Sequence, residues 1–148
     1  METAEDKYDL DRFKAAQAPI YAQALGELQA GRKRSHWMWF VFPQLRGLGS
    51  SQMAIRYGIG SIEEARAYLA DDVLGSRLRQ CSEAMLSLGQ TNATLVLGSP
   101  DDRKFKSSMT LFDAIEPGTI FGHALDQYFG GGRDAATLRL LENPPTAR

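Results

Sequence analysis

Apolar residues recur at intervals of three and four along much of this 148-residue chain. Because such spacing places side chains on one face of an α-helix, each apolar stripe predicts an amphipathic helix. The longest stripe is Leu74, Leu78, Cys81, Met85 and Leu88. Two later stripes are Phe105, Met109 and Phe112, then Phe121, Leu125 and Tyr128. The pattern therefore indicates a helical protein.

Capping residues predict where these helices begin and end. An early helix is expected from the turn at Pro19 to about Ala30, with Gly31 as its C-terminal cap. Ser61 and Glu64 have the spacing of a capping box. The other predicted starts are Asp9 or Asp11, Asp71 or Asp72, Pro100, Thr119 and Asp134.

The secondary structure of one segment is ambiguous from its pattern. Residues 37–43 read Trp-Met-Trp-Phe-Val-Phe-Pro, which are mostly strand formers, yet polar residues do not alternate with them. A buried strand and a helix buried on every side both fit this composition. The neighbouring stretch 47–51, Gly-Leu-Gly-Ser-Ser, is expected to be a loop, and 92–97 a single further turn.

These elements predict an all-α fold, a compact, non-repeating bundle of about six to eight helices. The bundle is expected to form one domain over residues 9–142, because 148 residues is close to the commonest single-domain length. A frayed N-terminal tail is predicted at 1–8. A C-terminal tail is predicted at 143–148.

Composition narrows the functional classes. The formal net charge is -1, with 17 basic and 18 acidic residues, which makes nucleic acid an unlikely partner. No membrane segment or signal peptide is visible, so a cytoplasmic location is expected. One cysteine and two separated histidines cannot form an ordinary structural zinc site, and no cofactor motif is present. A monomer or weak homodimer is expected.

The first candidate functional segment spans residues 33–44. Trp37 and Trp39 offer flat apolar surfaces suited to stacking, and Lys33 can contact an anion. His36 is the nearby group that could transfer a proton near neutral pH, which makes it the candidate catalytic residue. Gln44 adds an amide. The alternatives are that the aromatics are core and that the basic residues are solvated.

The second candidate segment spans residues 104–110, in the helix after Pro100. On a helix, Lys104 and Ser108 lie four apart and share a face, and Lys106 and Thr110 form a second such pair. The hydroxyls of Ser107 and Ser108, flanked by lysines, could bind an oxyanion and orient a ligand, with Lys106 as the anion contact. Small hydroxyl residues could equally let another helix approach closely. A serine nucleophile would need a base, and no histidine lies in this helix.

Both segments resemble the signature of a known family. The runs are Ser35 to Gln44, Gly47 to Ser50, and Asp101 to Phe112, together with Asp134, Thr137 and Leu138. They are similar to a bacterial domain-of-unknown-function family, number 1810, whose members are often mislabelled "calpastatin". The resemblance implies a compact all-helical domain, favours a helix at 37–42, and implies no established activity. The calpastatin label does not fit, because a calpain inhibitor is a long disordered chain and this composition is globular.

Two functional hypotheses remain. In the first, the two segments form a pocket for a nucleotide-like or other small anionic molecule, on which the protein could also act. In the second, the chain is a protein–protein interaction module without catalytic activity. A third interpretation is that both motifs only specify the fold. Whether the segments of His36 and Ser107 meet in space decides among these.

Overall fold

The computed structural model describes residues 6–143, and this range contains ten helices. The helices are α1 (Asp11–Gln17), α2 (Tyr21–Ala30), α3 (Met38–Val41), α4 (Gln52–Arg56), α5 (Ile62–Ala70), α6 (Asp72–Ser87), α7 (Ala93–Leu97), α8 (Asp101–Ile115), α9 (Ile120–Phe129) and α10 (Ala135–Glu142). The predicted all-α fold is confirmed for this range. Within it, the only extended pairing is an isolated parallel bridge between Leu45 and Ile59.

Two long helices, α6 and α8, form the centre of the bundle. Helix α6 packs against α2, α5 and α9, and α8 packs against α5, α7, α9 and α10. The predicted stripe of α6 is buried from Leu74 to Met85, and only Leu88, just beyond the helix, is partly exposed. Phe105, Met109 and Phe112 of α8 are fully buried as their spacing predicts.

Most of the predicted caps are confirmed. Gly31 ends α2 in a left-handed conformation, and the side chains of Ser61, Asp71 and Asp134 accept hydrogen bonds from the first turns of α5, α6 and α10. Thr119 stands at the predicted N-cap position of α9, but its hydroxyl donates to the carbonyl of Glu116 and makes no capping hydrogen bond to that helix.

The start of α1 also differs from the prediction. Neither Asp9 nor Asp11 caps this helix; the carboxylate of Asp6 accepts hydrogen bonds from the backbone of Leu10 and Asp11. Asp6 and Tyr8 belong to the predicted N-terminal tail, and Tyr8 packs against the core. Residues 1–5 of that tail and residues 144–148 of the C-terminal tail lie outside the described residues.

The predicted count of six to eight helices is too low. The difference comes from short helices: α3 has four residues, and α4 and α7 have five each. An apolar period of 3.6 cannot be read from fewer than two turns, so pattern alone does not separate such helices from loops. The open segment 37–42 contains α3, which agrees with the helix that the family resemblance favours.

None of the helices within residues 6–143 is long and apolar enough to cross a membrane.

Candidate functional site

The loop that follows α2 is organised around one buried carboxylate. Gly31 turns the chain, and the loop then passes over Glu27, whose side chain is oriented into the protein on the same face as Ala24 and Leu28. Glu27 Oε1 accepts hydrogen bonds from the backbone N–H groups of Arg34 at 2.8 Å and Ser35 at 3.0 Å. Two neighbouring backbone N–H groups of this kind can bind an anion, and here the carboxylate of Glu27 occupies that position.

Side chains complete the shell around Glu27. The indole Nε1 of Trp37 donates to Oε1 at 2.9 Å, and the hydroxyl of Ser35 donates to Oε2 at 2.6 Å. Burial alone would raise the pKa of Glu27, but the hydrogen bonds from Ser35, Arg34 and Trp37 outweigh it and lower that pKa to about 2. Glu27 is therefore ionised at neutral pH and is a poor general base.

The two tryptophans have different environments. Trp37 is completely buried, with its ring 6.3 Å from that of Phe42, so it belongs to the core and no ligand can reach it. Trp39, two residues later, is only partly buried. Of the two rings that the sequence proposes as a stacking wall, only Trp39 is accessible.

Two lysines cover these rings and share one carboxylate. Lys33 Nζ lies 5.2 Å from the centre of the Trp37 ring, and Lys104 Nζ lies 4.8 Å from that of Trp39. Asp101, the first residue of α8, places Oδ2 2.8 Å from Lys33 and Oδ1 3.6 Å from Lys104. Asp101 therefore connects the loop after α2 to the first turn of α8.

An open cleft of about 470 Å³ lies beside this cluster. Its walls come from α3 and the chain that follows it, the first turns of α8 and the start of α10. The polar and aromatic lining residues are Trp39, Gln44, Ser50, Ser51, Arg103, Lys104, Ser107 and Asp134. The two candidate segments therefore do meet, through Trp39 and Gln44 on one side and Ser107 on the other.

The charge of the cleft is positive overall. Arg103 is exposed, and none of the ion pairs within residues 6–143 involves it. Lys104 is the second cation. The opposing carboxylate, Asp134, is engaged at the start of α10, where it accepts hydrogen bonds from the N–H and hydroxyl of Thr137. Two cations therefore face one carboxylate.

The other predicted contacts on α8 are distributed around the helix. Ser107 lines the cleft, and its hydroxyl donates to the carbonyl of Arg103 at 3.1 Å. Ser108 is completely buried, and its hydroxyl has no hydrogen-bond partner in the described structure. Thr110 is buried and accepts a hydrogen bond from the backbone of Asp134. Ser108 and Thr110 thus serve packing within the bundle.

Lys33 and Lys106 both lie outside the cleft lining. Lys33 is only 9% exposed and is held by Asp101. Lys106 Nζ lies 5.6 Å from the centre of the Phe129 ring, on the side of α8 that faces α9. Helical spacing is the sequence signal that distinguishes Lys104 from Lys106. Lys104 and Ser107 are three residues apart and share a face of α8, whereas Lys106 lies on a different face.

The two histidines and the cysteine do not line the cleft. His36 is exposed and does not line it, and His123 is exposed on α9. Cys81 is fully buried in α6, and burial raises the pKa of its thiol to about 12. Within residues 6–143, no cluster of three or more His, Cys, Asp or Glu side chains could hold a metal ion.

Other concavities carry weaker arguments for ligand binding. A groove of about 580 Å³ lies between α1 and α4, but the guanidinium of Arg12 that lines it already donates five hydrogen bonds within the protein. All five donors of that side chain are therefore in use. A narrow crevice of about 150 Å³ between Leu45, Ile62 and Leu140 is mainly apolar.

The fold and the cleft define a compact all-α protein with one site shared by two distant segments. Residues 7–141 match the family model described as "Protein of unknown function (DUF1810)", and the chain belongs to this family. The structure is similar to the crystal structure of the conserved hypothetical protein Rv1873 from Mycobacterium tuberculosis, with a TM-score of 0.90 and 52% sequence identity. The match covers 93% of this chain and 99% of that chain. No curated protein matches.

Proposed function

We propose that the protein binds a small anionic molecule of the nucleotide or sugar-phosphate kind in the cleft between α3 and α8. The proposal rests mainly on the observation that two segments about 60 residues apart line the same cleft. The first segment supplies Trp39 and Gln44, and the second supplies Arg103, Lys104 and Ser107. A volume of about 470 Å³ suits a ligand of that size.

Each side chain has a chemical task in this proposal. Arg103 and Lys104 attract the anionic group, and the guanidinium of Arg103 can hold two oxygens of a phosphate or carboxylate. Trp39 is the apolar wall for a ring or sugar, and Gln44 and Ser50 offer hydrogen bonds to its polar edge. Because His36 lies outside the cleft lining, the proposal is one of binding, with no residue assigned to proton transfer.

The alternative of an interaction module has less support. It requires an exposed apolar patch, whereas the four large apolar side chains with the greatest exposure lie on four different helices. These are Ile55 on α4, Val73 on α6, Leu95 on α7 and Leu138 on α10. A cytoplasmic location and a monomeric or weakly dimeric state stay predictions from the sequence.

A thermal-shift screen against nucleotides, sugar phosphates and small carboxylates tests the proposal. A ligand at 100 times its dissociation constant stabilises the folded state by about 2.7 kcal/mol, which corresponds to a rise in Tm of roughly 5–10 °C. We expect at least one phosphorylated compound to give such a rise.

Variants then locate the site. The shift should be lost in Lys104→Met and Arg103→Met, and kept in Lys106→Met, which removes the same charge from another side of α8. It should also persist in His36→Ala. If the rise in Tm persists in both Lys104→Met and Arg103→Met, this cleft is not the binding site. The absence of a rise with every compound of the panel would also contradict the proposal.

A further inference from the structure

The carboxylate of Asp101 holds its two lysines unequally. Its contact with Lys33 is 2.8 Å, and the side chain of Lys33 is 9% exposed. Its contact with Lys104 is 3.6 Å, beyond ordinary hydrogen-bond distance, and the side chain of Lys104 is 24% exposed. Lys104, which lines the cleft, is therefore the partner that Asp101 can release while Lys33 keeps the carboxylate in place.

An anion that enters the cleft competes with Asp101 for Lys104. Any anion must displace Asp101 from Lys104 and is repelled by that carboxylate. A dianion such as a phosphate is attracted about twice as strongly to Lys104 and Arg103 as a monocarboxylate is, and it is repelled about twice as strongly by Asp101, because the Coulomb energy scales with the charge. Since the cations in and beside the cleft outnumber the carboxylates, the dianion keeps the advantage, and loss of Asp101 favours it further.

We infer that Asp101 is an internal competitor that weakens anion binding in the cleft by holding Lys104, and that the excess of cations there favours dianionic phosphate groups over monocarboxylates. The inference rests on the proposed function, since it concerns the same cleft. It makes Asp101 a residue that tunes anion affinity through Lys104, although Asp101 does not line the cleft. Removing the carboxylate should therefore strengthen anion binding.

Titration of the purified protein with inorganic phosphate and with acetate tests this inference. The fluorescence of Trp39 reports binding, Trp39→Phe provides the blank, and ionic strength is held constant at about pH 8, where phosphate is mainly a dianion. We expect phosphate to bind wild-type protein at least about tenfold more tightly than acetate. In Asp101→Asn, phosphate binding should strengthen by about threefold to tenfold, and acetate binding by less.

Two further variants separate competition from other effects. Asp102→Asn removes the same charge one residue along α8, where the carboxylate contacts Thr94 and not a lysine, so it should change affinity by less than about twofold. The double variant Lys33→Met with Asp101→Asn avoids leaving a buried ammonium unpaired, so it gives the answer even if Asp101→Asn alone unfolds. It should still bind phosphate more tightly than wild type, by a smaller factor than Asp101→Asn because the positive charge of Lys33 is lost as well.

Failure of this inference differs from failure of the proposed function. If phosphate binds wild-type protein but no more tightly in either Asp101 variant, Asp101 is not a competitor, although the anion cleft stands. Acetate binding as tight as phosphate binding would overturn the preference for a dianion. If no variant binds phosphate saturably, both the proposed function and the inference are wrong.

Discussion

At the residue scale, Glu27 has the clearest role in positioning the site. Its carboxylate collects hydrogen bonds from the backbone of Arg34 and Ser35 and from the indole of Trp37, and so fixes the loop that carries Lys33. The sequence identified that loop as chemically unusual but did not identify Glu27. The available signal was an acidic residue on the apolar face of α2, beside Ala24 and Leu28.

Replacing Glu27 should destabilise the protein in a pH-dependent way. Glu27→Gln should cost about 2 kcal/mol at neutral pH, because hydrogen bonds to a charged acceptor become bonds to a neutral one. Since folding lowers the pKa of Glu27 from 4.5 to about 2, this stabilisation is complete above about pH 5. It is lost progressively as the pH falls towards 2.

Urea unfolding between about pH 7 and pH 2 measures this effect. The difference in free energy of unfolding between wild type and Glu27→Gln should shrink as the pH falls below 5. Glu83→Gln, on the exposed side of α6, is the control and should stay within about 0.5 kcal/mol of wild type at pH 7. A difference for Glu27→Gln that stays constant with pH would contradict the assigned role.

The two tryptophans show where residue-scale prediction stops. Trp37 and Trp39 lie in the same apolar run, and nothing in its polar pattern distinguishes them. Their environments depend on tertiary neighbours: Glu27 accepts from the indole of Trp37, whereas Trp39 borders the open cleft. Sequence alone therefore proposed both rings as ligand contacts, and the structure leaves only one accessible.

At the element scale, the long helices were predictable because their apolar stripes are long. The stripes of α6, α8 and α9 and the caps at Ser61, Asp71 and Asp134 follow from local spacing and capping chemistry. Helices α3, α4 and α7 have four or five residues each and are too short to show an apolar period.

The junction of α5 and α6 leads to a prediction about two glycines. A Cβ at Gly75 would collide with the backbone carbonyl oxygen of Leu69, so Gly75→Ala should destabilise the protein by at least about 2 kcal/mol. Gly26 on α2 has nothing within 4 Å of its Cβ position. Gly26→Ala should therefore stabilise the protein by up to about 1 kcal/mol through helix propensity.

Denaturant unfolding of both variants compares two identical substitutions within helices. We expect the free energy of unfolding to fall in Gly75→Ala and to rise in Gly26→Ala. Equal effects at the two positions would mean that α5 and α6 do not approach as closely as the structure shows.

At the scale of the whole molecule, the site depends on a meeting of segments that the sequence could not establish. Residues near 39–50 and 103–107 become neighbours because α8 packs at the centre of the bundle, with Phe42 and Phe105 stacked edge to face at 4.9 Å. Residues of both segments that the sequence proposed line the same cleft. The sequence could not give the direction of each side chain. It therefore proposed Lys33 and Lys106 as the anion contacts, whereas Arg103 and Lys104 line the cleft.

The central claim is that an anionic ligand binds beside Trp39. The most direct test follows the two indole N–H signals in an NMR titration with the strongest compound from the thermal-shift screen, assigned with Trp39→Phe. The Trp39 signal should shift and saturate, because the ligand lies against that ring. The buried Trp37 signal, held by Glu27, should stay in place. If the bound protein shows an unmoved Trp39 signal, the account of this cleft is wrong.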